Sequence, residues 1–257
     1  MADKEQNAPL KGRVAIVTGA SGGIGREIAL HLAGKGADLL LVYASNPHKA
    51  EELASTIRNS AHVTAIPFKA DISDSSQVVQ LFDKAEQAFD RVHVLVNCAG
   101  VIDGNNASLA EISEEEWDRM FNINCKGAFL CSREAAKRLV RGGGGRIINV
   151  STSLVGAPTP GYGAYTASKA AVETMTKILA RELRGTKITA NCVAPGAIAT
   201  ELFFAGKSEE TVKAMAGRSP LERLGAVEDV APLVAFLASD EGEWVNAQVV
   251  RVDGSFF

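Results

Sequence analysis

The sequence predicts an α/β fold: a single doubly wound domain with a seven-stranded parallel sheet and helices on both faces. Three observations carry this expectation. Short apolar runs alternate with longer helical stretches along the whole chain, the pattern of repeated β-α-β units. Several of those runs are apolar throughout rather than alternating, as strands covered on both faces require. The chain has 257 residues, a length that α/β folds often use as one domain, and it has no internal repeat, linker-like segment or break in composition. The expected domain spans residues 1–257, with residues 1–10 as a flexible tail.

The elements follow in order. Residues 13–18 (RVAIVT) read as a buried strand, and 23–34 have helical spacing with Ile24, Ile28 and Leu32 on one face. Residues 38–43 (DLLLVY) form a second strand and 47–60 a helix. Residues 62–68 alternate as a third strand, 75–89 form a helix, and 92–97 (VHVLVN) are a continuous apolar fourth strand. Ser113 with Glu116 three residues later is a capping box that opens one long helix towards Leu139. Residues 146–150 are a fifth strand, 163–183 a long helix, 187–193 a sixth strand, 228–238 a helix and 248–252 a seventh strand. The four glycines Gly142 to Gly145 precede a strand rather than a helix, so they read as an exposed turn and not as a phosphate loop.

Composition narrows the function classes. Apolar residues make up 46% and charged residues 22%, an average globular mixture that excludes a disordered chain, a collagen-like fibre and a coiled coil. Thirty acidic against 27 basic residues leave a formal charge of −3, so no global positive field holds nucleic acid or anionic lipid. No apolar run approaches the roughly 18 residues of a membrane span. The first ten residues lack the apolar stretch of a secretory signal, and the final residues are not a peroxisomal tripeptide. A soluble, cytoplasmic protein without nucleic-acid or membrane partners is expected. The four cysteines form no C-x-x-C pair and read as free thiols. The four histidines are not spaced as metal ligands, so no metal is expected.

The chemistry begins where the first strand ends. Thr18-Gly19-Ala20-Ser21-Gly22-Gly23-Ile24-Gly25 runs directly into a helix. Glycines there let the backbone turn, let a pyrophosphate approach and let helix and strand pack closely, while the helix N-terminus offers N–H donors. That strand–glycine–helix context points to a Rossmann-like dinucleotide site with Gly19, Ser21, Gly23, Ile24 and Gly25 around the phosphates. Further on, Tyr165 and Lys169 stand at i, i+4, which puts an ammonium one helical turn from a phenol. A nearby positive charge lowers a phenol pKa from its usual 10 or so, making tyrosine usable as a general acid. The end of the fifth strand delivers Ser151-Thr152-Ser153, a source of a hydroxyl that could polarise a carbonyl oxygen.

These motifs together resemble the short-chain dehydrogenase/reductase family. The glycine spacing Gly-x-x-x-Gly-x-Gly, Asn97-Cys98-Ala99-Gly100 after the fourth strand, Asn124 within Phe121–Gly127, Tyr165-x-x-x-Lys169 and Pro195-Gly196 after the sixth strand all occur in that family's order. Nearly the whole chain is covered, and 3-oxoacyl-carrier-protein reductases and carbonyl reductases are the members it is most similar to. Cys98 stands where the family usually has asparagine, and Ala247 where it commonly has glycine. The resemblance implies reversible reduction of a ketone or aldehyde. In it Tyr165 donates the proton, Lys169 tunes it and binds the nicotinamide ribose, and Asn124 positions a proton-supplying water. Ser153 is the expected carbonyl-holding hydroxyl, with Thr152 as its rival and Ser151 as a structural hydrogen bonder.

The second strand ends in Val42-Tyr43-Ala44-Ser45-Asn46 without a carboxylate. Nothing there repels a 2′-phosphate, and Ser45 and Asn46 can donate to it, so with the resemblance NADP(H) is preferred over NAD(H). Gly22 stands where many NADP-specific members carry a basic residue, with Arg26 and Lys49 as possible substitutes. By the same resemblance Ala44 lies at this end, Asp71 and Ile72 meet the adenine, Asn97, Ala99 and Gly100 border the cofactor, and Pro195, Gly196, Ile198 and Thr200 flank the nicotinamide.

Ile102, Val155, Tyr162 and Phe203 could line an apolar substrate pocket, or equally be core or subunit contacts. The resemblance further implies a homo-oligomer, a tetramer or possibly a dimer, built on the two long helices and the last strand, with Phe256 and Phe257 reading as oligomer packing. Two alternatives stay open: a 3-oxoacyl-carrier-protein reductase, whose acidic carrier would need a basic patch at the site mouth, and a non-catalytic NADP(H)-binding sensor or scaffold.

Overall fold

The computed structural model describes residues 8–255. Seven strands run in parallel: β1 (Val14–Thr18), β2 (Asp38–Tyr43), β3 (Ala65–Lys69), β4 (Val94–Asn97), β5 (Arg146–Val150), β6 (Thr189–Pro195) and β7 (Val249–Val252). Their order across the sheet is β3-β2-β1-β4-β5-β6-β7. The order reverses between β1 and β4, where Ala15 lies opposite Val94 and Thr18 opposite Asn97. A doubly wound sheet opens a crevice at the carboxyl ends of the strands at that reversal.

Alternation along each strand divides the core in two. Val17, Leu39, Leu41 and Val96 face one side, packing against Ile28 and Leu32 of α1 (Gly23–Gly34), Leu53 and Ile57 of α2 (Pro47–Ala61), and a helix near the C-terminus. Ile16, Leu40, Leu95 and Ile147 face the other, against Leu81 and Phe82 of α3 (Ser75–Phe89) and helices from the second half of the chain. Each fully buried Leu or Ile contributes about 1.5–3 kcal/mol. Covering on both faces is why apolar residues run consecutively in these strands, as in Val14–Val17 and Leu39–Val42.

Several expected boundaries move, each for a local reason. The third strand begins at Ala65 rather than 62, because His62 closes α2 with φ +56° and cannot extend the strand. The sixth strand begins at Thr189 because Lys187 turns the chain with φ +60°, and it continues to Pro195. The tail expected over residues 1–10 does not reach Leu10, which is fully buried and donates its N–H to the Lys35 carbonyl at 3.0 Å. Residues 1–7, Phe256 and Phe257 lie outside the described residues.

The single long helix expected from Ser113 is three pieces: α4 (Glu114–Met120), a π-helical segment (Phe121–Gly127) and α5 (Ala128–Arg138). Only half of the capping box forms. Ser113 Oγ accepts the Glu116 N–H at 3.2 Å, whereas the Glu116 carboxylate holds Arg119 at 2.8 Å. The remaining helices are α6 (Gly163–Glu182), two short ones that the sequence reading lacked, α7 (Glu201–Phe204) and α8 (Glu209–Ala216), and finally α9 (Val227–Ala238). Ala247, at the family's glycine position, takes φ +59°, a strained conformation for a residue with a Cβ. No described helix is long and apolar enough to cross a membrane.

Candidate active site

A cleft of about 500 Å3 opens at the carboxyl ends of β1, β2, β4, β5 and β6. Its floor is the turn from β1 into α1. A Cβ at Gly25 would stand 2.3 Å from the Gly19 carbonyl oxygen, and one at Gly19 would meet the Ala99 backbone at 2.8 Å. Only glycine allows this helix to start so close to the sheet. The first turn of α1 has no side-chain cap and no acidic residue, and the space above Gly22 is open. Its N–H groups therefore remain available to an anion.

Most residues expected around a cofactor border this cleft. Gly19, Ser21, Gly23, Ile24 and Gly25 do so at the floor, and Ala44, Ser45, Asp71 and Ile72 at the β2–β3 end. Ala99 and Gly100 follow β4, and Pro195, Gly196, Ile198 and Thr200 follow β6. Two do not. Asn46 caps α2, accepting the Lys49 N–H at 3.0 Å, and Lys49 itself is paired with Glu201 at 3.0 Å. Asn97 is buried behind the cleft, donating to Asn149 Oδ1 at 2.8 Å and Ser132 Oγ at 3.1 Å. An asparagine on a strand covered on both faces satisfies its amide inside the core.

Tyr165 and Lys169 project from α6 into the cleft. Lys169 is buried and donates to the Val150 carbonyl at 2.8 Å, with Nζ 6.0 Å from the centroid of the Tyr165 ring. Burial lowers its pKa. The expected downward shift of Tyr165 is absent: burial pushes the phenol up to about 12, and a hydrogen bond with Thr152 only partly offsets this. Desolvation of the phenolate dominates, and the Lys169 ammonium is spent on a backbone carbonyl. Burial likewise pushes the neighbouring Cys98 thiol up to about 11, so no thiolate lies here at neutral pH.

The three hydroxyls after β5 separate by what they touch. Ser151 donates to Glu173 at 2.7 Å. Thr152 accepts the Leu154 N–H at 3.3 Å and meets the Tyr165 hydroxyl. Ser153 borders the cleft, is 1% exposed, and its Oγ has no hydrogen-bond partner within the protein. A buried orphan hydroxyl is costly unless a ligand completes it. Asn124 does not border the cleft. The π-helical segment turns it inward, where Oδ1 accepts the Val101 N–H and Nδ2 donates to the Val101 carbonyl, both at 2.8 Å.

At the β4–β6 end, Ile102, Tyr162 and Phe203 are walls of the cleft. Val155 is not, and Leu154 takes its place, because the single 3-10 turn Ser153–Val155 sets Ser153 and Leu154 on the cleft and turns Val155 away. Sequence reading also missed Lys207, Met215 and Arg218, which border the cleft from α8 and its flanking loops. Their one legible signal was Ser208, the N-cap of α8, which accepts the Thr211 N–H. Among the described residues no cluster of three or more His, Cys, Asp or Glu side chains could hold a metal.

Comparison with known proteins places this geometry. A family model described as Enoyl-(Acyl carrier protein) reductase matches residues 19–256. A short-chain type dehydrogenase/reductase from Picea abies is 69% identical over 250 residues, covering 95% of this chain and 92% of the relative. An NADPH-dependent aldehyde reductase-like protein, chloroplastic, from Arabidopsis thaliana is 54% identical over 257 residues, covering 96% and 95%. Among solved structures, a short chain dehydrogenase from Burkholderia cenocepacia J2315 in complex with NADP is 34% identical with a TM-score of 0.89, over 96% of this chain and 99% of that one. With nearly its whole length matched and its glycine turn, Tyr165 and Lys169 gathered in one cleft, the chain belongs to the short-chain dehydrogenase/reductase family.

Proposed function

We propose that the protein is an NADPH-dependent reductase of aldehydes or ketones, acting reversibly on the corresponding alcohols. The observation that carries this is the orphan hydroxyl of Ser153 on the cleft that also holds Tyr165 and Lys169. The named activity of the Arabidopsis relative and the NADP bound to the Burkholderia structure support the cofactor. So does the β2 end, where Ala44 and Ser45 border the cleft without a carboxylate.

When bound, reduced nicotinamide would supply the hydride for the carbonyl carbon. The chain's own residues do the rest. The uncapped start of α1 receives the pyrophosphate, and Thr200 and Ile198 flank the nicotinamide end. Ser153 donates to the carbonyl oxygen and fixes its direction. Tyr165 then delivers the proton, which a phenol held near 12 retains across neutral pH. Lys169, fixed by the Val150 carbonyl, holds the nicotinamide ribose beside it. Asn124 acts as a positioning residue, clamping the Val101 peptide on the loop that carries Ala99 and Gly100.

Tyr165→Phe is expected to lower kcat by about a hundredfold or more while leaving NADPH affinity within about threefold. Ser153→Ala should cost kcat a similar order, and Thr152→Val less than about tenfold. Wild-type-like turnover in Tyr165→Phe would sink the assignment, and a larger loss in Thr152→Val than in Ser153→Ala would exchange the roles of the two hydroxyls.

We further propose a homo-oligomer, a tetramer built on α5 and α6. Phe129 and Ile178 leave these helices 44% and 52% exposed, with the Arg133 guanidinium 5.5 Å from the Phe129 ring centroid. Exposed apolar side chains on adjoining helices are costly for a monomer in water. Sedimentation of the intact chain should give a multiple of its mass, reduced by Phe129→Glu with Ile178→Glu; a wild-type monomer contradicts this. The cytoplasmic expectation belongs to the same proposal, and a fluorescent fusion of the full chain checks it against the plastid.

A further inference from the structure

The cleft carries a cation that the reaction proposed above does not use. Lys207 borders the cleft half-buried, its ammonium 5.0 Å from the centroid of the Phe203 ring. Among the described residues no carboxylate pairs with it. The two acids that border the cleft are both engaged. Glu201 accepts Lys49 Nζ at 3.0 and 3.1 Å, and Asp71 Oδ1 accepts the Ser73 N–H at 2.9 Å. Lys207 therefore presents a positive charge that no carboxylate of the cleft matches.

Its place in the fold sets which ligand meets it. Gly206, next to Lys207, lies against the Gly104 carbonyl: a Cβ there would stand 3.2 Å away. Lys207 thus sits over the loop that follows β4, together with Ile102 and Phe203. Ala44 and Ser45, at the 2′-phosphate end, follow β2 on the other side of β1. The walls between Ser153 and Lys207 are apolar, from Ile102, Leu154, Phe203 and Met215.

We propose that the pocket selects carbonyl compounds with an apolar body and a carboxylate remote from the reacting carbonyl, and that Lys207 receives that carboxylate. This rests on the carbonyl-reductase reading. A partly desolvated ammonium attracts a carboxylate more strongly than a fully hydrated one, because less solvent screens the pair. Burial also lowers the Lys207 pKa, and an arriving carboxylate favours its charged form again. A cofactor pyrophosphate offers similar anionic oxygens, so the test must separate the two sources.

The test compares para-carboxybenzaldehyde with its methyl ester at saturating NADPH, in wild type, Lys207→Met and Lys207→Arg, with NADPH affinity read separately by fluorescence titration. Wild type is expected to favour the acid over the ester by about tenfold in kcat/KM. Lys207→Met should abolish that preference by raising KM for the acid alone. Lys207→Arg should retain it, and NADPH affinity should stay within about twofold throughout. Equal kcat/KM for acid and ester in wild type overturns the inference. So does a Lys207→Met variant whose main loss is NADPH affinity, which gives the cation to the cofactor. Turnover of neither aldehyde would overturn the carbonyl-reductase reading itself, and the inference with it.

Discussion

At the scale of single residues, the cleft is organised by what each polar atom already touches. Thr152, Ser151 and Asn124 are all engaged within the protein, whereas Ser153 Oγ is not. The motifs ranked Ser153 above Thr152 by resemblance alone, since the hydrogen-bond partners that separate the two come from other parts of the chain. The same limit applied to Tyr165. Spacing gave its proximity to Lys169, yet only burial shows that desolvation raises the phenol instead of lowering it. A raised pKa favours the protonated form, so the proton donor for reduction is present throughout neutral pH, while alcohol oxidation, which needs phenolate, is penalised. Reduction is expected to be flat from about pH 6 to about pH 9, and oxidation to rise nearly tenfold per pH unit over that range. Initial rates in both directions across a buffer series check this. A reduction rate already falling near pH 8 would contradict it.

At the scale of elements, the strands and helices were legible because buried strands are continuously apolar and the helices carry one apolar face. Boundaries at His62 and Lys187 were not, since left-handed turns at non-glycine residues leave no mark in composition. Nor was the π-helical segment, which sets Asn124 against the Val101 peptide 23 positions away. Asn97 is a related case. Its motif suggested a cofactor contact, but it belongs to a buried network in which Asn149 accepts from Asn97 and donates to Thr176 at 2.8 Å. This network ties β4 and β5 to α6 directly behind the site. Asn149→Ala removes two buried hydrogen bonds, although Asn97 keeps Ser132 and Thr176 keeps the Val172 carbonyl, and is expected to destabilise the fold by about 1–3 kcal/mol. Urea denaturation measures this, and a loss below about 0.5 kcal/mol would show that the network relaxes freely.

At the scale of the whole molecule, reversal of strand order between β1 and β4 gathers residues from position 19 to position 218 around one crevice. The sequence made the cofactor half readable, because glycines, a tyrosine and a lysine are constrained by chemistry. The substrate half draws on α7, α8 and their loops, where many residue types satisfy the fold, so Lys207, Met215 and Arg218 carried no motif. The central claim, that this crevice binds NADPH and passes its reducing equivalents to a carbonyl, is tested most directly in one set of cuvettes. NADPH and NADH are titrated against protein fluorescence, and aldehydes, ketones and quinones are then added while the reduced nicotinamide absorbance is followed. Tighter binding of NADPH than NADH, with absorbance lost on at least one carbonyl, is the predicted result. Binding without turnover on any of them would leave a sensor or scaffold, and no binding of either nucleotide would contradict the account.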